Sequence, residues 1–378
     1  MSKKLIFLII ALALTCATVG CIMAPARTHV APEVFKENTF YVTLDGLSYA
    51  VGTNTSSWVE EESVWARDTQ DYNKTPDDVY FKHMVYETKS EPVYEDILYD
   101  LRYYRNLKNL DNDTYMELII AFVRSIPYDN ESEITPRTPI EVVYDGKGDC
   151  DEKSVLAAGL LATEGYATSL IHIYGTGSAD HMGVGVRGEH NAFNYEDTGY
   201  LFVETTTTYP MGASDYKTMG GYPAFTPISS FYETGGDIEK ETATEAPSVY
   251  PIRETGLTYT QDEKALAVYT AYENSYKQIY CWKAKMKSLK AMADACETMY
   301  YTASEYSAGR YASKYNAAID EYNNLIDEYN SGVETFNYLL DNTDSISTQY
   351  ITAREWLDKY GYQKTSCGTP RYELAMCI

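Results

Sequence analysis

The sequence predicts an α+β protein: a helix packed on an antiparallel sheet, followed by a long α-helical hairpin at the C-terminal end. Three observations lead there. A glycine turn, Gly146-Lys147-Gly148, runs into Asp149-Cys150-Asp151-Glu152 and then a helix that is apolar on most faces from Val155. Short β-patterned runs follow at 167–174, 182–186 and 200–208, separated by turn residues. Residues 258–362 then change character, with almost no Pro or Gly and apolar or aromatic side chains at helical spacing.

Composition bounds the rest. With 378 residues there is room for two or three compact units, and 44% apolar residues supply a sizeable core. The net charge of −24 repels phosphate backbones, so no nucleic-acid partner is expected. The 38 tyrosines carry apolar area with a hydrogen-bonding tip. They serve either a carbohydrate or protein contact surface, or half-buried positions that Phe and Leu would otherwise fill.

Residues 1–26 read as an export signal or N-terminal membrane anchor, with Lys3 and Lys4 ahead of an apolar run from Leu5 to Leu14. Thr18-Val19-Gly20-Cys21 resembles a lipobox, which makes Cys21 the lipidation candidate, although Thr18 stands where bacterial lipoboxes usually carry Leu. The apolar stretch continues to about Ala26, enough for one span if uncut, since about 20 residues suffice. A lipid anchor, an uncleaved anchor and full secretion stay open; the two anchors place the bulk of the chain on the extracellular face of the cell membrane, and all three place it outside the cytoplasm. Sequons at Asn54, Asn73, Asn112 and Asn130 agree.

There are seven cysteines. Cys281, Cys296, Cys367 and Cys377 remain once Cys16 and Cys21 are given to the signal and Cys150 to chemistry. On one helix, Cys281 and Cys296 are about 22 Å apart at 1.5 Å per residue. A disulfide needs Cα atoms within about 7 Å. That pairing drops out, leaving either a tail stapled back to the helix or buried thiols.

In chain order, residues 27–89 hold an irregular start and a β-hairpin, in which 40–44 and 47–51 flank Asp45-Gly46. Residues 61–95 carry no clear pattern. Residues 90–235 form the central domain, opening with helices over 94–107 and 114–125, the second N-capped by Asp113 and ended by Pro127. Residues 236–257 read as a linker and 258–362 as the helical hairpin, turning at Gly309. A Cys-containing tail fills 363–378.

The chemistry centres on Cys150. Asp149 and Glu152 form a capping-box pattern that makes Cys150 the first helical residue, beside free amides and the positive end of the dipole. That lowers a thiol pKa, while Asp149, Asp151 and Glu152 oppose it, so the thiol needs a basic partner. Of five histidines, His181 opens the strand 182–186 after a Gly-rich turn and is the best-placed base. His172 lies in an apolar strand and His190 in a turn. Glu204 is an acid in an apolar, Thr-rich strand, a costly position unless the carboxylate has a partner, so it is the candidate to orient the imidazole, with Asp197 as runner-up.

These residues carry a resemblance. Gly148-Asp149-Cys150-Asp151, Ala179-Asp180-His181-Met182 and Phe202-Val203-Glu204-Thr205-Thr206, in that order, resemble the three motifs of the transglutaminase-like superfamily. Ser125-Ile126-Pro127-Tyr128 and Thr138-Pro139-Ile140-Glu141 resemble its lead-in. The likeness covers about residues 90–210 and implies a transglutaminase-like, papain-like core with a Cys150–His181–Glu204 triad. The family's usual acid is Asp before Pro-Thr, whereas this chain has Glu204 before Thr205-Thr206. No side chain matches an oxyanion donor; Gln70 lies too far upstream, and the Cys150 amide is the default.

The resemblance implies a thiol enzyme, an amidase or peptidase when water is the acceptor and a transglutaminase when a lysine amine is, acting on a protein or peptide. The competing reading keeps the fold as a non-catalytic protein- or glycan-binding module, with the helical hairpin as a partner surface. No cofactor is expected, and no metal, because no Cys/His pair has ligand spacing.

Overall fold

The computed structural model describes residues 31–129, 135–174, 180–192, 194–212, 246–340 and 344–362. The expected export segment with Cys21 and the tail with Cys367 and Cys377 lie outside the described residues, as does Asn130.

Asp45 and Gly46 both take positive φ, 50° and 68°, the two-residue turn that matches strand twist. β1 (Phe35–Leu44) and β2 (Leu47–Ser56) pair antiparallel around it, with Leu44 opposite Leu47. Phe40, Val42, Leu44, Tyr49 and Val51 are buried on one face, as the period of two requires. Residues 61–95, which carried no clear pattern, are mostly helical: α1 (Ser57–Asp68), α2 (Asp77–Tyr86) and the start of α3 (Glu91–Lys108). α1 buries only Ser63, Ala66 and Arg67, so it leaves no apolar stripe to read.

α4 (Asn112–Ser125) is capped by Asp111, whose side chain accepts the Thr114 N–H at 2.8 Å. Asp113, the expected cap, instead lies in the first turn and accepts the Thr260 N–H at 3.0 Å and the Thr260 hydroxyl. Two capped helices follow, α5 (Pro139–Asp145) and α6 (Cys150–Thr163). α6 is buried continuously from Glu152 to Ala162, as an all-round apolar helix must be. At Gly159 a Cβ would sit 2.3 Å from the Tyr94 ring, so glycine permits α3 to approach α6.

α6 packs on a four-stranded antiparallel sheet of β3 (Thr168–Ile173), β4 (His181–Val186), β5 (Leu201–Val203) and β6 (Ser248–Arg253), in the order β5-β4-β3-β6. β6 falls inside the stretch expected to be linker. Tyr250 and Ile252 are buried on it, and Pro251, which has no N–H to donate, is tolerated because the strand lies at the sheet edge.

The C-terminal region is helical as expected: α7 (Asp262–Thr302), α8 (Glu305–Leu340) and α9 (Ile346–Tyr360). Tyr272 stacks on Phe336 with centroids 5.1 Å apart, while Lys285 meets Glu321 at 2.7 Å, so α7 and α8 run antiparallel. The turn lies at Ala303-Ser304 rather than Gly309. Gly309 sits within α8, where a Cβ would meet nothing within 4 Å. The buried seam runs through Tyr272, Tyr276, Ile279, Trp282, Met286 and Leu289, and α9 closes over it with Trp356 at 6.1 Å from Trp282. Cys281 is disulfide-bonded and Cys296 is a buried thiol, so these two do not pair with each other. Among the described residues no helix is long and apolar enough to cross a membrane.

The core continues from the sheet into the helices. Glu117 on α4 joins them, accepting the Tyr259 hydroxyl at 2.6 Å and the Ile346 N–H at 3.2 Å. Burial pushes its carboxyl up to about 8.

Gly159→Ala should lower stability by about 1–3 kcal/mol in urea unfolding, because the new methyl overlaps a Tyr94 ring held by its bond to Val85 O (3.1 Å). Helix propensity alone predicts the opposite sign, a gain of about 1 kcal/mol.

Candidate functional site

Three segments distant in sequence meet where the N-terminus of α6 faces the start of β4 and the end of β5. The helix start is locked first. Asp149 accepts the Glu152 N–H at 3.2 Å and Glu152 accepts the Asp149 N–H at 3.1 Å, the capping box that the spacing predicts. Glu152 is also gripped by Arg137. The Arg137 guanidinium donates to both of its oxygens (2.9 and 2.8 Å), and the Arg137 N–H adds a third bond at 2.8 Å. The same guanidinium reaches Asp129 at 2.7 Å and Asp145 at 3.2 Å. A buried cation thus ties together the three acidic segments that lead to Cys150. At Gly148 a Cβ would lie 3.1 Å from the Val142 side chain, so a larger residue there would displace the turn.

His181 is the first residue of β4, and its Nε2 lies 2.7 Å from Glu204 Oε2. The Cys150 sulfur lies near enough that sulfur and imidazole each act on the other's hold on its proton. The glycines after His181 leave room for neighbours within the sheet rather than for a ligand: a Cβ at Gly183 would meet the Phe202 ring at 2.3 Å, and one at Gly185 the Ser169 hydroxyl at 2.3 Å.

Glu204 follows directly after β5 and is fully buried. Its Oε1 accepts the N–H groups of Thr205 and Thr206, each at 2.9 Å, and the Thr206 hydroxyl at 2.7 Å. Two cations lie behind it. Arg124 donates to the Glu204 carbonyl at 2.8 Å and the Tyr209 carbonyl at 3.1 Å. Lys153, with no exposed surface, donates to the Ile126 carbonyl at 2.7 Å. Burial pushes Lys153 down to about 8 and Arg124 to about 10, against the opposing pull of Glu204. Ser154 completes the frame, donating to the Met182 carbonyl at 3.1 Å and meeting the Thr205 hydroxyl at 2.9 Å.

The electrostatics follow from these contacts. Burial alone would raise Glu204, but the His181 charge and the Thr206 bonds outweigh it and hold the carboxyl at about 2. Burial alone would lower His181, but Glu204 and the bond to Cys150 carry it well above 6.5. The thiol departs from the expected direction. Burial, aided by Asp151, raises Cys150 more than His181 lowers it. Asp151 Oδ1, 3.6 Å from the sulfur, accepts from the thiol and so favours its protonated form. The resting pair is therefore a thiol beside an imidazolium, and the dipole at the start of α6, worth about 1 kcal/mol at most surface sites, does not reverse this.

The other described histidines are engaged elsewhere. His190 Nδ1 pairs with Asp262 at 2.8 Å, His172 faces Asp180 at 3.6 Å, and His83 contacts the Ala66 carbonyl at 3.0 Å. Asp197 lies in the 3-10 turn Tyr195–Asp197 before β5, and Glu204 is the acid at the imidazole. Among the described residues, Asp149, Cys150 and Asp151 bring donor atoms within 4.8 Å of one another. Asp149 is committed to its cap and the sulfur to His181.

Sequence reasoning missed Arg137, Arg124, Lys153 and Ser154. A signal existed for two of them: Lys153 and Ser154 are polar residues one turn beyond Cys150 in an otherwise apolar helix, on the face that Cys150 shares. No family model, curated protein or solved structure matches the chain.

The imidazole should titrate above 6.5 by NMR of its ring protons. In Glu204→Gln the midpoint should fall below 6.5, because burial then acts without its opposing carboxylate.

Proposed function

We propose that this chain is an exported, cell-surface cysteine enzyme with a transglutaminase-like core, performing acyl transfer or hydrolysis at amide or peptide bonds. The observation that carries this reading is His181 with Nε2 at 2.7 Å from the Glu204 carboxylate and with the Cys150 sulfur near enough to act on its charge. Three motifs in family order, converging with a capped, buried helix on an antiparallel sheet, support the assignment to that superfamily.

In the proposed reaction the imidazolium–thiol pair loses one proton, and the sulfur adds to the acyl carbon. Collapse of the adduct breaks the C–N bond, and His181 gives its proton to the departing amine. Water then enters; His181 takes its proton as the hydroxide adds to the thioester, and the acid leaves while the thiol is restored. Glu204 fixes the ring and holds its charge throughout. Hydrolysis is favoured over cross-linking because a lysine acceptor requires a dedicated tunnel.

A second reading, a binding module on the same fold, draws on the far end of the hairpin. There Tyr301 and Tyr306 are exposed, and a cavity of about 190 Å³ is lined by Glu297, Tyr300, Tyr301, Ala312, Tyr315 and Asn316.

Iodoacetamide should alkylate Cys150 of the native full-length chain. The rate should rise with pH on the alkaline side of 6.5, since one proton must leave a pair in which both members are raised. His181→Ala removes the group that lowers the thiol and should slow the reaction, because less thiolate is then present at a given pH. A Cys150 that reacts only after denaturation would favour the binding module.

A further inference from the structure

Tyr128 is an aromatic side chain near the sulfur that the relay does not use. Its backbone is fixed to the turn before α6. The Gly148 N–H donates to the Pro127 carbonyl at 3.1 Å, the Asp129 N–H donates to the Gly148 carbonyl at 3.1 Å, and Tyr128 and Gly148 form a parallel bridge. This places the Tyr128 backbone beside Gly148, two residues before the nucleophile, and its ring is half exposed. The charges that its phenol feels are those of Cys150, Asp149, Asp151 and Glu204. Among the described residues its hydroxyl has no hydrogen-bond partner, and neither has the N–H of Cys150 at the first position of the helix.

The site needs such a donor. Addition of sulfur to a carbonyl puts a negative charge on oxygen near Asp151, which lies 3.6 Å from the sulfur and opposes that charge. One backbone N–H is a thin counterweight to that field. Arg124 and Lys153 are engaged by backbone carbonyls, Arg124 by those of Glu204 and Tyr209 and Lys153 by that of Ile126. The Tyr128 phenol is the uncommitted donor near the sulfur. Burial first, and then the Cys150 sulfur, push its pKa up to about 12, so it keeps its proton at any working pH.

We propose that Tyr128 is a catalytic residue: its hydroxyl and the Cys150 N–H together hold the oxyanion formed when the Cys150 sulfur adds to an acyl carbonyl. The proposal rests on the thiol acyl-transfer reading above. As the S–C bond forms, the π pair of the carbonyl moves onto oxygen, and the phenol donates a hydrogen bond without giving up its proton. When the oxyanion collapses, the C=O bond re-forms, the bond to the leaving group breaks, and the phenol is unchanged.

Two thiol reagents separate this role from its alternatives. p-Nitrophenyl acetate acylates sulfur through a tetrahedral oxyanion, whereas iodoacetamide alkylates it by displacement and forms none. Both second-order rates are measured on the full chain after subtracting a Cys150→Ala background, for the native protein and for Tyr128→Phe. The variant keeps the ring and loses only a hydroxyl that the fold does not use, and an unchanged thermal midpoint verifies this. Acylation should fall at least tenfold in Tyr128→Phe, one oxyanion donor being worth about 10²–10³ in kcat, while alkylation stays within twofold. Acylation within twofold of the native rate, or equal losses in both reactions, would overturn the role of Tyr128 and leave the Cys150–His181 reading standing. A native chain whose Cys150 reacts with neither reagent above background would overturn that reading and this proposal with it.

Discussion

A carboxylate without solvent contact governs this site. Removing Glu204 from water is unfavourable by several kcal/mol unless its lone pairs and its charge are answered. The local sequence answers the first: Thr205 and Thr206, which follow it directly, supply two N–H groups and a hydroxyl to one oxygen. The other oxygen is left for a single cationic donor, and His181 is the residue that β4 delivers. The imidazolium is thus a consequence of burying the acid. Lys153, which is buried, and Arg124, which is half-buried, supply further positive charge, and Glu204 in turn helps to keep both charged.

The helix that bears Cys150 obeys a similar rule. Glu152 closes the capping box and simultaneously accepts three bonds from Arg137, so the position of the sulfur depends on an ion-pair cluster as well as on the apolar body of α6. Truncating one partner in such a buried cluster strands its opposite charges, a far larger penalty than the net worth of the pairs. Placing the thiol here has a chemical consequence. The neighbouring acids and the burial that fix the helix also hold the thiol protonated, and the imidazole becomes the group on which its reactivity depends.

Much of this was legible in sequence, unevenly and for identifiable reasons. Asp45-Gly46, the Asp149/Glu152 cap and His181 at a strand start are local patterns, governed by a few neighbouring residues. The aromatic spacing of α7 and α8 is likewise local, but the turn is not at Gly309, because a glycine on a solvent-facing helix surface is tolerated; the chain breaks at Ala303, whose backbone is extended, and Ser304 opens α8 by accepting the Ser307 N–H. β6 was hidden because Pro251 within it argues against a strand until its edge position is known. Arg137 and Arg124 act on residues whose proximity only the folded chain supplies. The direction of the Cys150 shift failed for the same reason: a helix start can be read from spacing, but the burial of its first residue cannot.

The central claim is that sulfur, imidazole and carboxylate act as one nucleophilic unit, and a trapped thioester tests it most directly. The native chain incubated with a biotinylated glutamine-containing peptide and quenched in acid should carry the acyl mass on Cys150, removable by neutral hydroxylamine, and the adduct should be absent in His181→Ala and much reduced in Glu204→Ala. An acyl adduct that forms at the same rate without His181, or one found on other residues while Cys150 stays unmodified, would contradict the account.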